Sequence, residues 1–399
     1  MFARHLATTL KRAARHFPVV FVMGPRQAGK TTLVRATFPR HDYVSLEDVA
    51  EREFAVKDPK GFLARFRRGV IFDEAQRVPE LLSALQSVVD RDRKPGRFIL
   101  TGSQHFLLLQ HVSQSLAGRV AVLHLLPLSL AELRGRNARD PLALARPRAP
   151  IILKPAIALE KLLWRGMYPQ LHAQKMDRGL WMKSYEQTYV ERDVRSIVNV
   201  DDVNTFSRFL RLCAGRVGQL LNLSSLANDC GITHTTARRW LGILEASFVV
   251  MLLQPHHRNF SKRLIKSPKL YFFDTGLLCH LLRVRRAEDL TQHAMRGAIV
   301  ESFLVAEFWK YYVHAGRDVP LFFWRDRTGH EVDLIIEGGD DLFPVEIKAG
   351  QTVTTDMLRS LTYFLGLPGN PQTRGMLLHA GMDWYERRSI AVRPWYAAG

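Results

Sequence analysis

The chain alternates short, continuous apolar runs with stretches of helical periodicity. Val19–Met23, Val70–Phe72 and Phe98–Leu100 are apolar throughout, mostly β-branched or aromatic, and each is followed by glycine or a polar residue. Runs of that length and composition predict buried strands of a parallel sheet. The first is followed by a helix-compatible stretch, Thr31–Phe38, which Pro39 closes. Met1–Phe17 is Arg-rich and free of acids, superficially like a transit peptide. It runs within a residue of the first strand, so a surface helix packed on the same domain is expected. Farther along, Leu226, Ala227 and Cys230 mark one buried helix face, and Ala237, Trp240, Leu241 and Leu244 mark another. Gly231 makes the turn between them, with Ser224 and Thr233 as expected N-caps, which is helix-turn-helix spacing. Ala298–Trp309 reads as an amphipathic helix. Gly329–Ile336 and Phe343–Gly350 read as two strands joined into a hairpin by Gly338-Gly339-Asp340-Asp341.

Chemistry enters where the strands end. Directly after the first come Gly24-Pro25-Arg26-Gln27-Ala28-Gly29-Lys30-Thr31, then Thr32. This is the G-x-x-x-x-G-K-[ST] pattern between a strand and a helix, the context a phosphate-binding loop requires. Its glycines let main-chain N–H groups wrap a polyphosphate, with Lys30 for the β- and γ-phosphates and the Thr31 hydroxyl for Mg²⁺. Thr32 lies in the first helical turn, whose free N–H groups favour an anion. The second strand ends in Asp73-Glu74, where Asp73 can hold Mg²⁺ through water and Glu74 can activate the attacking water. The third ends in Thr101-Gly102-Ser103, so Thr101 or Ser103 is a candidate γ-phosphate sensor. Arg119 is a candidate for neutralising transition-state charge, within the chain or in a neighbour's site.

Taken in order, GPRQAGKTT, YVSLED, IFDEAQRVPELL, FILTGSQ, SLAGRV and LPLSLAEL resemble the AAA-type P-loop ATPases of bacteria and archaea that carry a C-terminal domain of unknown function. The likeness spans almost the whole chain. It implies an α/β multidomain protein whose P-loop NTPase domain has a central parallel sheet, with ATP and Mg²⁺ as ligands. It implies no particular substrate.

Charge is unevenly distributed. The formal net charge of +19 divides into +9 over residues 1–135, +12 over 136–290 and −2 over 291–399. A positive field over the first two-thirds suits nucleic acid phosphates. Leu133–Pro155 interleaves arginines and prolines, a poor core-former. The expected organisation is an ATPase domain over 1–134, a basic linker over 135–156, a helical and winged-helix domain over 157–290, and an α/β nuclease-like domain over 291–399. In the second helix of the helix-turn-helix, His234, Thr235, Arg238 and Arg239 face outward, as for DNA. Lys262–Lys269 could form a basic wing. Nucleic acid, DNA rather than RNA, is the expected partner, and homo-oligomers would fit the resemblance. The three cysteines, Cys213, Cys230 and Cys279, lack metal-like spacing and suit a reducing cytoplasm. The longest apolar run, near Phe248–Leu253, is far short of the roughly 18 residues a membrane span needs.

In the C-terminal hairpin, period-two alternation puts Glu331 with Asp333 and Glu346 with Lys348 on common faces. Asp333 and Glu346 brought together would bind Mg²⁺, and Lys348 would stabilise charge on a phosphodiester. This D…E-x-K arrangement resembles the PD-(D/E)XK nuclease superfamily, although Val332 stands where a proline is usual. Glu301, on the preceding helix, falls where that fold places a further acidic metal ligand. The expected function is Mg-dependent ATP binding and hydrolysis coupled to nucleic acid binding, with metal-dependent phosphodiester cleavage at the second site. The alternative is an ATP-switched DNA- or protein-binding regulator whose nuclease-like domain is catalytically silent.

Overall fold

A computed structural model of the chain describes residues 1–102, 116–146, 155–188, 203–256, 267–326, 328–338, 341–368, 370 and 372–399. They fall into two units. The first comprises Met1–Leu128 with Ala246–Phe248 and Tyr312–Arg317, and the second comprises Ser129–Glu245, Val249–Tyr311 and Asp318–Gly399.

The first unit is built on five parallel strands, β1 (Val19–Met23), β2 (Asp42–Ser45), β3 (Val70–Asp73), β4 (Phe98–Gly102) and β5 (Val120–His124). Their spatial order is β2-β3-β4-β1-β5. Strands β1, β3 and β4 are buried along their whole length, which explains their unbroken apolar runs: helices cover both faces. On one face Leu6, Leu10 and Ala13 of the N-terminal helix Leu6–Ala14 pack with Leu33 and Val34 of the helix Lys30–Thr37 against Val20, Val22 and Ile71. On the other, Leu81, Leu82, Leu85 and Val89 of the helix Glu80–Arg91 meet Phe21, Phe72 and Phe98. The parallel order brings the C-terminal ends of β1 and β3 to one edge, separated by β4.

The second unit carries helices and a mixed eight-stranded sheet. Val203–Ala214, Leu223–Cys230 and His234–Ala246 are three of its helices, with Phe206 and Phe209 edge-on to Trp240 at 5.2 and 5.5 Å. Gly231 turns between the second and third in the left-handed region (φ 71°), and Thr233 caps the third through the Thr236 amide at 3.1 Å. The second helix is capped by Asn222, whose Oδ1 accepts from the Ser225 amide at 3.0 Å. Ser224 therefore does not take the capping role its position suggested.

The sheet is made of β6 (Val250–Pro255), β7 (Lys269–Phe272), β8 (Leu321–Arg325), β9 (Glu331–Gly338), β10 (Asp341–Lys348), β11 (Gly375–His379), β12 (Tyr385–Arg387) and β13 (Ile390–Pro394). Its order is β12-β13-β11-β10-β9-β8-β6-β7. Strands β9 and β10 form the expected antiparallel hairpin. Strands β6 and β7 extend this sheet through the pairing of β6 with β8. Leu361 and Phe364 of the helix Arg359–Leu365 close the core over Trp324, Ile335, Leu377 and Val392. Residues 262–266 of the expected wing lie outside the described residues. Lys269 is not a surface phosphate contact: it is 2% exposed. All three cysteines are buried thiols. Among the described residues no helix is long and apolar enough to cross a membrane.

Gly24 leaves β1 at φ 153°, and a Cβ there would collide with the carbonyl oxygen of Leu125. Backbone cannot retreat as a flexible side chain can. Gly24→Ala is therefore expected to cost roughly 2 kcal/mol or more, read as a lowered urea midpoint with an unchanged slope.

Candidate functional site

Gly24 to Thr31 wrap the end of β1 as a compact loop. Gln27 and Gly29 both take positive φ (62° and 92°), and Gly29 caps the helix that starts at Lys30. Pro25 and Ala28 are buried while Arg26, Gln27 and Thr32 face outward to varying degrees. From behind, Arg4 donates one guanidinium nitrogen to the Ala28 carbonyl and the other to the Leu126 carbonyl, each at 2.6 Å. Nothing in the periodicity of the N-terminal stretch marked this clamp. Lys30 is buried, its ammonium donating to the carbonyls of Gly24 and Pro25 at 2.9 Å each. It is thus held at the mouth of the loop, where phosphate oxygens would meet it.

Asp73, at the C-terminal end of β3, is 7% exposed and collects three hydroxyls. Thr31 Oγ1 stands 3.0 and 3.1 Å from its two oxygens, Tyr43 donates to Oδ2 at 2.8 Å, and Thr101 contacts Oδ1. Thr31 and Asp73 are therefore joined across the gap that a hydrated Mg²⁺ would bridge, and both present hard oxygen donors. Thr101, one of two sensor candidates, faces this carboxylate. Ser103, the other, lies outside the described residues. Tyr43 was not singled out from sequence as a site residue. Burial and then its bond to Asp73 push its phenol up to about 12. Glu74 adopts a left-handed conformation (φ 58°, ψ 44°) and accepts from the Gln76 side-chain amide. A non-glycine residue held there costs of order 1–3 kcal/mol and is the kind of strain functional sites retain. A cleft of about 540 Å³ opens beside Thr31 and Thr32, lined also by Arg35, His41 and Tyr43.

Arg119 needs correction. It immediately precedes β5, hence lies at the sheet edge opposite the loop, and makes a bidentate pair with Asp90 at 2.6 and 3.0 Å. Five strand residues, roughly 16 Å of chain, separate it from the nucleotide edge, so it cannot neutralise charge in its own chain's site.

The second cluster lies in the second unit. Pairing of β9 with β10 ends at Val345↔Leu334. Beyond it the Asp333 carboxylate takes the place of a backbone acceptor and receives the Ile347 amide at 2.8 Å. Glu346 and Lys348 follow on one face of β10. The Lys348 ammonium contacts Glu346 Oε1 and lies 3.6 Å from Asp333 Oδ2. Glu346 is 2% exposed, and its Oε2 is buried without a hydrogen-bond partner. Glu301 is turned instead toward β7, 3.1 Å from the Lys269 ammonium and in contact with the Tyr271 hydroxyl. Asp333, Glu346 and Lys348 are thus brought together. Glu301 reaches Asp333 through Lys269, the last residue of the expected wing, whose ammonium is 3.1 Å from the one and 3.9 Å from the other.

Burial, then the neighbouring Asp333, raises the Glu346 carboxyl to about 8. Burial raises Glu301 to about 7, with Lys269 opposing and Asp333 reinforcing the shift. Burial acts against the charged form of Lys348, but Asp333 and Glu346 outweigh it and hold the ammonium protonated. An orphaned, buried carboxylate oxygen beside a second carboxylate fits a hard divalent cation.

Family models match the chain in three stretches: an AAA domain over residues 16–134, a domain of unknown function (DUF8612) over 157–288, and a second domain of unknown function (DUF4143) over 296–397. Uncharacterized proteins of Mycobacterium tuberculosis and Mycobacterium bovis are each 33% identical over 368 residues, covering 90% of this chain and 76% of theirs. The chain belongs to the family of AAA-type P-loop ATPases with a DUF4143 C-terminal domain. Among solved structures this ATPase is similar to the Walker-type ATPase PABY2304 of Pyrococcus abyssi: 17% identity, 71% of this chain and 96% of that one, TM-score 0.44. It is also similar to the Thermotoga maritima RuvB Holliday junction branch migration motor: 16% identity, 62% of this chain and 88% of that one, TM-score 0.30.

Because the folded-state values of Glu301 and Glu346 are raised, their neutral forms stabilise this ATPase fully below about pH 4.5, and that contribution is lost as pH rises through about 7 and about 8. Without divalent ions, the melting midpoint should fall as pH rises from about 4.5 to about 8. Glu346→Gln should flatten that fall, and an unchanged slope in this variant would refute the assignment.

Proposed function

We propose that this ATPase hydrolyses Mg·ATP to act on nucleic acid and that its C-terminal unit contains a metal-dependent site for phosphodiester cleavage. The observation that carries the second half is the convergence of Asp333, Glu346 and Lys348 around the unpartnered Glu346 Oε2.

In the first unit Thr31 and Asp73 would hold Mg²⁺, and Lys30 would bind the β- and γ-phosphates. Glu74 would take a proton from the water that attacks the γ-phosphorus as the bond to the β-phosphate oxygen breaks, releasing ADP and phosphate. In the second unit Asp333 and Glu346 would hold a divalent cation, which would supply Lewis-acid stabilisation of the charge developing on the phosphodiester. Lys348 would pair with a non-bridging phosphate oxygen, exchanging its contact with Glu346 for the substrate. Water adds to phosphorus, one P–O ester bond breaks, and the departing sugar oxygen leaves as a hydroxyl.

Support for nucleic acid as the partner comes from the helix His234–Ala246. His234, Thr235, Arg238 and Arg239 are all exposed along one face, while Ala237, Trp240, Leu241 and Leu244 are buried on the other. The excess of positive charge also lies before residue 291. A second reading, an ATP-switched binding protein with a silent C-terminal site, is favoured by one observation: Lys348 already bridges both carboxylates.

Lys30→Ala should abolish ATP binding. Glu74→Gln should retain binding while slowing hydrolysis about 10²–10⁴-fold, measured as phosphate release at saturating ATP. With Mg²⁺ or Mn²⁺, the purified protein should cut DNA or RNA, and Asp333→Ala should not. No cutting by the unaltered protein, with and without ATP, sinks the cleavage half and leaves the second reading. DNA affinity should fall steeply with salt, and replacing Arg238 and Arg239 by alanine should lower the log–log slope by about 2 if both contact phosphates.

A further inference from the structure

The acidic cluster of the second unit has two halves that share Asp333. Oδ2 of Asp333 faces Glu346 and Lys348, with Lys348 Nζ at 3.6 Å. Oδ1 faces the other way, 3.9 Å from the ammonium of Lys269. That ammonium also lies 3.1 Å from Glu301 Oε1 and in contact with Glu331 Oε1. Three carboxylates from two different elements, the helix Arg296–Ala315 and strand β9, therefore converge on one lysine from a third, β7.

The two lysines differ in how they are held. The Lys348 side chain is 34% exposed and can swing clear of the carboxylates it touches. The Lys269 side chain is 2% exposed, with the Phe323 ring 5.6 Å from its ammonium. Tyr271, two residues on and so on the same face of β7, ties the same Glu301 through its hydroxyl. The unpartnered oxygen of the cluster, Glu346 Oε2, belongs to the Lys348 half. Sites that clamp a phosphodiester with two divalent ions share a carboxylate between ions about 3.5–4 Å apart. Here the shared carboxylate is present, one half is held by a partly exposed lysine that can swing clear, and the other half is filled by a buried one.

We propose that Lys269 is a resident monovalent cation in the second half of this site, so that the chain takes up one divalent ion, at Asp333 and Glu346, and not two. The inference rests on the metal-site reading above and adds a stoichiometry to it. A tethered ammonium carries one charge, coordinates no water and cannot generate a hydroxide. Its half of the site therefore supplies electrostatic stabilisation only, and the attacking water must come from the Lys348 side.

The test is a Mn²⁺ titration of the full chain without nucleotide, followed by the electron paramagnetic resonance of free and bound Mn²⁺. Asp333→Asn defines which bound ions belong to this site. One Asp333-dependent Mn²⁺ is expected for the unaltered protein and for Lys269→Arg. Two, with the line broadening of a coupled pair, are expected for Lys269→Gln. Two Asp333-dependent ions in the unaltered protein, or one in a folded Lys269→Gln variant, overturn the proposal. Should Lys269→Gln be unfolded in EDTA, recovery of its circular dichroism with two bound Mn²⁺ supports the proposal, and no recovery overturns it. The metal-site reading fails separately: it predicts Asp333-dependent binding in the unaltered protein. No Asp333-dependent ion in the unaltered protein overturns that reading and the one-ion stoichiometry with it, whereas two ions there overturn the stoichiometry alone.

Discussion

A carboxylate buried at the end of a strand must be given donors, and both candidate sites of this chain are organised around that requirement. Desolvating an ionised acid without partners costs several kcal/mol, so the side chains that gather round Asp73 and Asp333 are conditions for the fold as well as parts of a site. Asp73 draws hydroxyls from the P-loop helix, from β2 and from β4. Asp333 draws an amide from β10 and faces two ammonium groups. The donors of Asp73 come from elements 28 to 42 positions away, and Asp333 adds the distant Lys269 of β7 to its own hairpin partner β10, which ties the geometry of each site to the register of its sheet.

The two solutions differ in kind. Neutral hydroxyls around Asp73 can be exchanged for the water shell of a cation without leaving any charge unpaired. The cluster around Asp333 is balanced by lysines, so a change in its occupancy shifts whole charges, and burial amplifies each shift. Glu346 and Glu301 are correspondingly held toward their neutral forms. Lys348, on the exposed side, can yield its place, whereas Lys269 is packed in. One cluster thus has a replaceable counter-charge and a fixed one.

Much of the first unit was legible in the sequence because its signals are local. A strand, a glycine-rich loop and a helix in succession dictate the cradle at Gly24–Thr31, and an apolar run ending in Asp73-Glu74 places acids at the same sheet edge once the strands are parallel. That Arg119 lies away from its own chain's loop could not be read from Gly118-Arg119-Val120, because such a run does not reveal which end of its strand faces the nucleotide. Arg4 and Tyr43 went unremarked for a related reason: single polar residues beside apolar ones carry no periodic signal. In the second unit the hairpin of β9 and β10 followed from two strand-like runs joined by Gly338-Gly339-Asp340-Asp341, and the common face of Glu346 and Lys348 from alternation.

By itself the sequence determined the elements, the P-loop and its acidic partners, the helix-turn-helix spacing, and the pairing of Asp333 with the Glu346–Lys348 strand. Each is a property of a segment or of two segments joined by a short turn. Only the tertiary structure decided that β6 and β7 belong to the C-terminal sheet, and that Lys269, read as part of a surface wing, is buried among Glu301, Glu331 and Asp333. The physical reason is that a lysine's environment is set by what lies across the sheet from it. Neighbours separated by 32 to 64 positions in the chain leave no trace in the local pattern.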